Sequence, residues 1–261
     1  MKILVTNDDG IYARGLWSLV RELTKVGEVI VVAPDREQSA IGTAVTLHQP
    51  LRFSQVTPLV KEVKAFMVEG TPADSVILAL EFMAREGIGI VFSGINEGAN
   101  LGDDVLLSGT VGAALQGYFR NIPAIALSVM IGERMHYEVA ARLGFLLATR
   151  ISASPPSQGI LLNVNLPNLP LSEIKGVEVT RLACRSYRDS VEEGFDGKRK
   201  YYWIVRGEPQ WKKAKGTDIW AVEEGRVSLT PLHPNPSPPE LISLVKDLAS
   251  SLAKDLGIPP P

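Results

Sequence analysis

Two aspartates stand side by side in the N-terminal segment VTNDDG, flanked by Asn7 and Gly10 and directly following an apolar run. Adjacent carboxylates repel one another when both ionise. A cation relieves that repulsion, and hard oxygen ligands suit magnesium or manganese. The alternative use of Asp8 and Asp9 is an Asx-type turn that closes a strand. Ser39, in APDREQSA, is a neutral oxygen able to complete a cation site or donate a hydrogen bond, and equally able to be solvated in its loop. Asp35, Arg36 and Glu37 beside it read as a solvated turn. The richest stretch is SGINEGANLGDDVLLSGTVGAAL. Asn96 and Asn100 bring uncharged amide groups, and Gly94, Gly98 and Gly102 let backbone approach a ligand closely. Ser108, Gly109 and Thr110 open a helical pattern. Their hydroxyls and unpaired N–H groups converge either on a phosphate-sized anion or on nothing more than a helix cap. A Gly/Asn-rich connection of roughly eighteen residues is uncommon in a compact domain unless it is functional. Asp103 and Asp104 within it read as surface carboxylates.

The elements that must position these groups follow from periodicity. KILVT and EVIVVA are apolar runs separated by Leu16, Leu19, Val20, Leu23 and Val26 at helical spacing, which is a βαβ unit. The alternation continues with TPADSVILALEFMARE as a helix, GIVFSGI as a strand, TVGAALQGYF as a helix and AIALSVM as a strand. This predicts an α/β fold: a Rossmann-like, doubly wound, mostly parallel sheet covered on both faces, with ligands at the strand ends. Thr71 as N-cap, Pro72 in the first turn and Asp74 at the positive helix end mark one boundary. AVTLHQPLRFSQV interrupts the pattern as an expected hairpin. After about residue 153, SPPSQG breaks the chain, ILLNVNLP adds a strand, and GVEVTRLACRSY with KYYWIVRG read as a protruding β-hairpin arm. Tyr187, Tyr201, Tyr202 and Trp203 give that arm more aromatic surface than an isolated hairpin buries, which points to contact with another subunit or with its own domain. The expected organisation is one domain over 1–261: a core of about 1–175, an arm of about 176–230, and a C-terminal helix over 239–256.

With 261 residues and 45% of them hydrophobic, the chain has length for one substantial core. A net charge of −2 offers no bulk attraction to a nucleic-acid polymer or an anionic membrane, so an anionic ligand must be handled locally. Cys184 is the single cysteine, which excludes an internal disulfide framework and favours a reducing compartment. No apolar run approaches the roughly 20 residues of a membrane span, and the N-terminus enters a strand at once. The expected location is the cytoplasm. His48, His136 and His233 are scattered without ligand spacing, and Cys184 lacks a partner motif.

Six segments in order, VTNDDG, APDREQSA, GTPAD, SGINEGANLGDDV, SGTVGAAL and GTDIWAVEEGRVSLTPL, span almost the whole chain. Through them the sequence resembles the SurE family of metal-dependent nucleotidases. The resemblance implies one divalent metal per subunit, held by Asp8, Asp9, Ser39 and Asn96, and removal of phosphate from nucleoside 5′- and 3′-monophosphates. It also implies a homodimer or homotetramer assembled through the C-terminal arm. Asn7, Asn96, Ser108, Gly109 and Thr110 become the phosphate and substrate contacts, and either Asp8 or Asp9 orients the attacking water. Leu107 stands where the family commonly has an aromatic residue, and Ser75 where it often has cysteine. One alternative is a phosphatase with an aspartate nucleophile, although such enzymes separate their two aspartates by one residue. Another is a nucleotide-binding module without catalysis, which leaves the paired aspartates unexplained.

Overall fold

The computed structural model describes residues 1–83, 87–186, 189–207, 210–211, 214–235, 245–246, 249–250 and 252–253. In chain order the strands and helices are β1 (Lys2–Thr6), α1 (Arg14–Leu23), β2 (Glu28–Pro34), β3 (Phe53–Val56), β4 (Lys64–Val68), α2 (Pro72–Leu78) and β5 (Ile88–Glu97). There follow α3 (Gly109–Tyr118), β6 (Ala124–Val129), α4 (Tyr137–Ala153), β7 (Leu161–Leu166), β8 (Val177–Val179), β9 (Arg185–Ser186), β10 (Asp189–Phe195), β11 (Lys200–Arg206), β12 (Gln210–Trp211), α5 (Asp218–Glu223) and β13 (Val227–Pro231).

Among the described residues nine strands form one sheet in the order β3-β4-β2-β1-β5-β6-β7-β13-β8. All neighbours run parallel except β3 with β4 and β7 with β13. From β1 the chain first winds out through β2 and β4, then crosses back to β5 on the other side of β1. The order therefore reverses at β1, and a doubly wound sheet opens its ligand crevice at such a switch point. Side chains alternate across β1: Ile3 and Val5 face the layer of α1 and α4, whereas Leu4 faces α2 and α3. Leu16, Leu19, Val20 and Leu23 of α1 are fully buried against that sheet. Each contributes ~1.5–3 kcal/mol relative to exposure, so the amphipathic spacing alone fixes which way the helix faces.

The boundary at Thr71 is a capping box. Asp74 N–H donates to Thr71 Oγ1 at 3.0 Å, and Thr71 N–H donates to Asp74 Oδ2 at 2.9 Å. The same carboxylate corrects the expected hairpin in AVTLHQPLRFSQV. Thr46 gives its backbone N–H to Asp74 Oδ1 at 2.9 Å and its hydroxyl to Oδ2 at 2.6 Å, so that segment turns toward α2 instead of pairing as a strand. Pro50 lacks a ladder donor, and strand structure begins only at Phe53, antiparallel to β4.

The protruding part of the arm is the β10–β11 hairpin, closed by Asp196, whose Oδ1 accepts the N–H groups of Lys198 and Arg199 at 2.7 Å each. It is narrower than the pattern of strands predicts. Val177–Val179 and Val227–Pro231 return to the main sheet as β8 and β13, because GVEV and VSLTP pair with one another and with β7. Tyr187 and most of the expected helix at 239–256 lie outside the described residues. No helix among the described residues is long and apolar enough to cross a membrane.

Candidate functional site

Asn7, Asp8 and Asp9 leave β1 at the switch point. Asn7 is fully buried and its Nδ2 donates to Gly10 O at 2.9 Å, closing the turn locally. Gly10 has φ +96°, and a Cβ there would come within 3.2 Å of the Arg36 backbone, so the turn requires glycine. Asp8 is almost wholly buried. Its Oδ1 accepts the Thr110 hydroxyl at 2.6 Å, and its carbonyl accepts Gln38 N–H at 2.7 Å. The start of α3 can approach this carboxylate only because residue 109 is glycine: a Cβ there would lie 2.9 Å from Asp8 Cβ and 3.0 Å from Oδ2. Asp9 is more open, with its Oδ2 at 3.4 Å from the Glu97 N–H.

Burial raises the Asp8 carboxyl above its ordinary value, opposed by the Thr110 hydrogen bond. Asp9 is pushed up to about 7, first by burial and then by the neighbouring Asp8 charge. Two carboxylates are thus held in a place where their ionised forms are disfavoured, a condition that a bound cation reverses.

The pocket over these residues encloses about 500 Å³ and is lined by Asp8, Asp9, Ser39, Asn96 and Ser108 among others. Ser39 Oγ donates to Glu37 Oε1 at 2.5 Å. Asn96 Nδ2 donates to Gly98 O at 2.7 Å, which leaves its amide oxygen as the atom open to a cation. Ser108 caps α3 by accepting Val111 N–H at 3.1 Å, and the N–H groups of Gly109 and Thr110 precede the first intrahelical bond. The opening of a helical pattern at Ser108, Gly109 and Thr110 directs the Thr110 hydroxyl to a phosphate. In the structure that hydroxyl is committed to Asp8, and Thr110 and Asn7 lie beneath the pocket rather than on its wall.

Three further carboxylates face the pocket: Glu37, Glu97 and Asp104. Two of these come from segments read as solvated, and nothing local distinguishes them from surface groups; the position of Glu37 two residues before Ser39 is the single available signal. Glu97 is held by the Tyr137 hydroxyl at the start of α4. No Lys, Arg or His lines the pocket among the described residues.

The loop after β5 is fixed from behind by buried polar groups. Asn163 Nδ2 and Asn165 Nδ2 donate to Asn100 O at 2.7 and 3.1 Å, while Asn100 N–H donates to Asn165 Oδ1 at 2.8 Å. Asp218 is fully buried at the start of α5; its Oδ2 accepts Gly102 N–H at 2.7 Å and its Oδ1 accepts Ala183 N–H at 2.9 Å. That carboxylate ties the pocket loop to the chain entering the arm.

Asp8, Asp9, Ser39 and Asn96 together offer oxygen donors alone, two of them anionic, and so fit a hard divalent cation. Among the described residues no group of three or more His, Cys, Asp or Glu is arranged to hold a metal, so any cation here relies on the two neutral donors as well. Against known proteins, residues 3–189 match the family model for survival protein SurE. A 5′-nucleotidase SurE of Dehalococcoides mccartyi (strain CBDB1) is 52% identical over 235 residues, 89% of each chain. One from Legionella pneumophila (strain Lens) is 45% identical over 234 residues, covering 89% of this chain and 91% of the relative. The crystal structure of SurE protein from Aquifex aeolicus superposes with a TM-score of 0.80 at 36% identity, over 95% of this chain and 99% of that one. With the residues matched in order across most of its length, the chain belongs to the SurE family.

Proposed function

We propose that this chain is a metal-dependent nucleotidase that hydrolyses nucleoside 5′- and 3′-monophosphates to nucleoside and phosphate. One divalent cation per subunit, magnesium or manganese, is held by Asp8, Asp9, Ser39 and Asn96. The observation that carries this reading is the pair of adjacent carboxylates at the switch point, both displaced above the ordinary carboxylate range and facing one pocket with a hydroxyl, an amide oxygen and a helix N-terminus. The names of the relatives support it.

When bound, the cation supplies Lewis acidity toward the phosphate and a lowered pKa for water. Thr110 holds Asp8 in one orientation through its hydroxyl, so that carboxylate is a fixed ligand. Ser108 Oγ and the N–H of Gly109 receive the phosphate oxygens, where the positive end of α3 favours negative charge. Asp9, more open and weakly partnered, accepts a proton of the attacking water. Among the described residues five carboxylates and no cationic side chain line the pocket wall, so the bound cation is the counter-charge of the phosphate there.

The exposed Val191, Tyr202, Trp203 and Ile204 of the β10–β11 hairpin support assembly into a homodimer or homotetramer through the arm. We assign the whole chain to one domain working in the cytoplasm; its single cysteine favours a reducing compartment. The test is phosphate release from a panel of nucleoside monophosphates with magnesium, manganese or EDTA. Release that EDTA abolishes and either metal restores is expected. Metal-independent rates would overturn the reading, and nucleotide binding without release would leave a binding module.

A further inference from the structure

We propose that the nucleobase of the substrate lies in a second, apolar cavity behind Ile131, so that one nucleotide spans both pockets; this rests on the nucleotidase reading. The second cavity encloses about 300 Å³ between the ends of β6 and β7 and the C-terminal end of α5. Met130, Ile131, Pro167, Leu169 and Val222 supply its aliphatic wall, with Asn168 and the Glu223 carboxylate as its polar lining. Ile131 also lines the phosphate pocket, and is thus a wall common to the two.

Ile131 is 74% exposed, so its side chain is open to an incoming group from both pockets. It stands over Gly98: a Cβ built there would lie 3.7 Å from Ile131 Cδ1 and 4.0 Å from Asn96 Nδ2. The step from the proposed cation ligand Asn96 to the apolar cavity is therefore one residue wide, and Gly98, at φ +118°, keeps it free of side chain. The amide of Asn168 at the cavity edge is committed within the protein, donating to Arg134 O at 2.9 Å and accepting His136 N–H at 2.9 Å. On the side that Ile131 shares with the phosphate pocket, Met130, Ile131 and Leu169 offer an incoming group aliphatic surface. A nucleoside monophosphate has the matching polarity, with a charged phosphate at one end and a flat, weakly hydrated ring at the other. Leu107, an exposed leucine on the phosphate pocket, does not line the second cavity.

The experiment compares kcat/KM for adenosine 5′-monophosphate with that for ribose 5-phosphate, which lacks the base, within each variant. The ratio in the wild-type chain is expected to be about 10 or more, the range that contact of one apolar group with a pocket provides. Ile131→Asp should bring it down about tenfold, and Ile131→Leu should restore it. Because Ile131 is exposed, neither change threatens the fold. Leu107→Asp should lower both substrates alike. In parallel, calorimetric titration with adenosine should show binding to the wild-type chain that Ile131→Asp weakens about tenfold. A ratio unmoved by Ile131→Asp, a ratio that collapses in Leu107→Asp alone, or adenosine binding indifferent to Ile131→Asp would each overturn the proposal. Absence of phosphate release from both substrates would instead refute the nucleotidase reading, and the adenosine titration would still decide the cavity.

Discussion

Replacing Asp9 by asparagine should stabilise the metal-free protein while destroying its activity. In the fold the Asp9 carboxyl is pushed from 3.8 up to about 7, above its unfolded value. The native state therefore binds the proton more tightly than the unfolded chain. Stability tied to this group is fully present below pH ~4 and is lost as pH rises through about 7. At ~1.4 kcal/mol per pH unit, that displacement sets a ceiling of about 4 kcal/mol of destabilisation once Asp9 is ionised. The side chain is partly open to water, which screens the effect and brings the expectation to about 2 kcal/mol. For a chain of this size that corresponds to a rise of roughly 4–8 °C in melting temperature for Asp9→Asn over wild type at pH 8 in EDTA, with a smaller difference at pH 5. Saturating manganese should reverse the order, because a cation at 100 times its Kd adds ~2.7 kcal/mol to a chain that binds it and nothing to one that does not. Thermal melts of both proteins at pH 5 and 8, with EDTA or manganese, read all of this, and phosphate release from a nucleotide reports the activity. Wild type more stable than Asp9→Asn at pH 8 in EDTA, or an undiminished manganese shift in the variant, would refute the reasoning.

Gly109→Ala should cut turnover by 10²-fold or more with little loss of secondary structure, since its methyl group would meet Asp8 at 2.9 Å and displace the carboxylate from the cation position; kinetics and circular dichroism check it. Asp218→Ala removes a buried acceptor for Gly102 and Ala183 and should cost about 2–4 kcal/mol in urea unfolding, with a raised KM because the pocket loop loses its rear anchor. Trp203→Glu with Ile204→Lys, both on the exposed hairpin, should shift the protein to a smaller species in sedimentation while leaving the melting temperature at high dilution nearly unchanged.

The switch point and the carboxylate pair were legible because both depend on short-range signals. Period-2 and period-3.6 apolar spacing gives the βαβ alternation, and a strand that ends in NDDG must release those carboxylates at the sheet edge. The capping box of Thr71 and Asp74 is equally local, since its partners are three residues apart. The fold decided what depends on contacts across the chain. The Thr110 hydroxyl is a reasonable phosphate contact until a carboxylate 102 residues away takes it at 2.6 Å. Thr46 sits in a plausible strand until Asp74, 28 residues on, captures its N–H. Glu37 and Asp104 read as solvated loop carboxylates, and only the convergence of the β2 and β5 ends turns them inward on one pocket with Glu97. Likewise GVEV and VSLTP read equally well as arm or as sheet. Pairing with β7 placed them in the sheet, because backbone hydrogen bonding satisfies any extended segment and apolar burial chooses among the available partners.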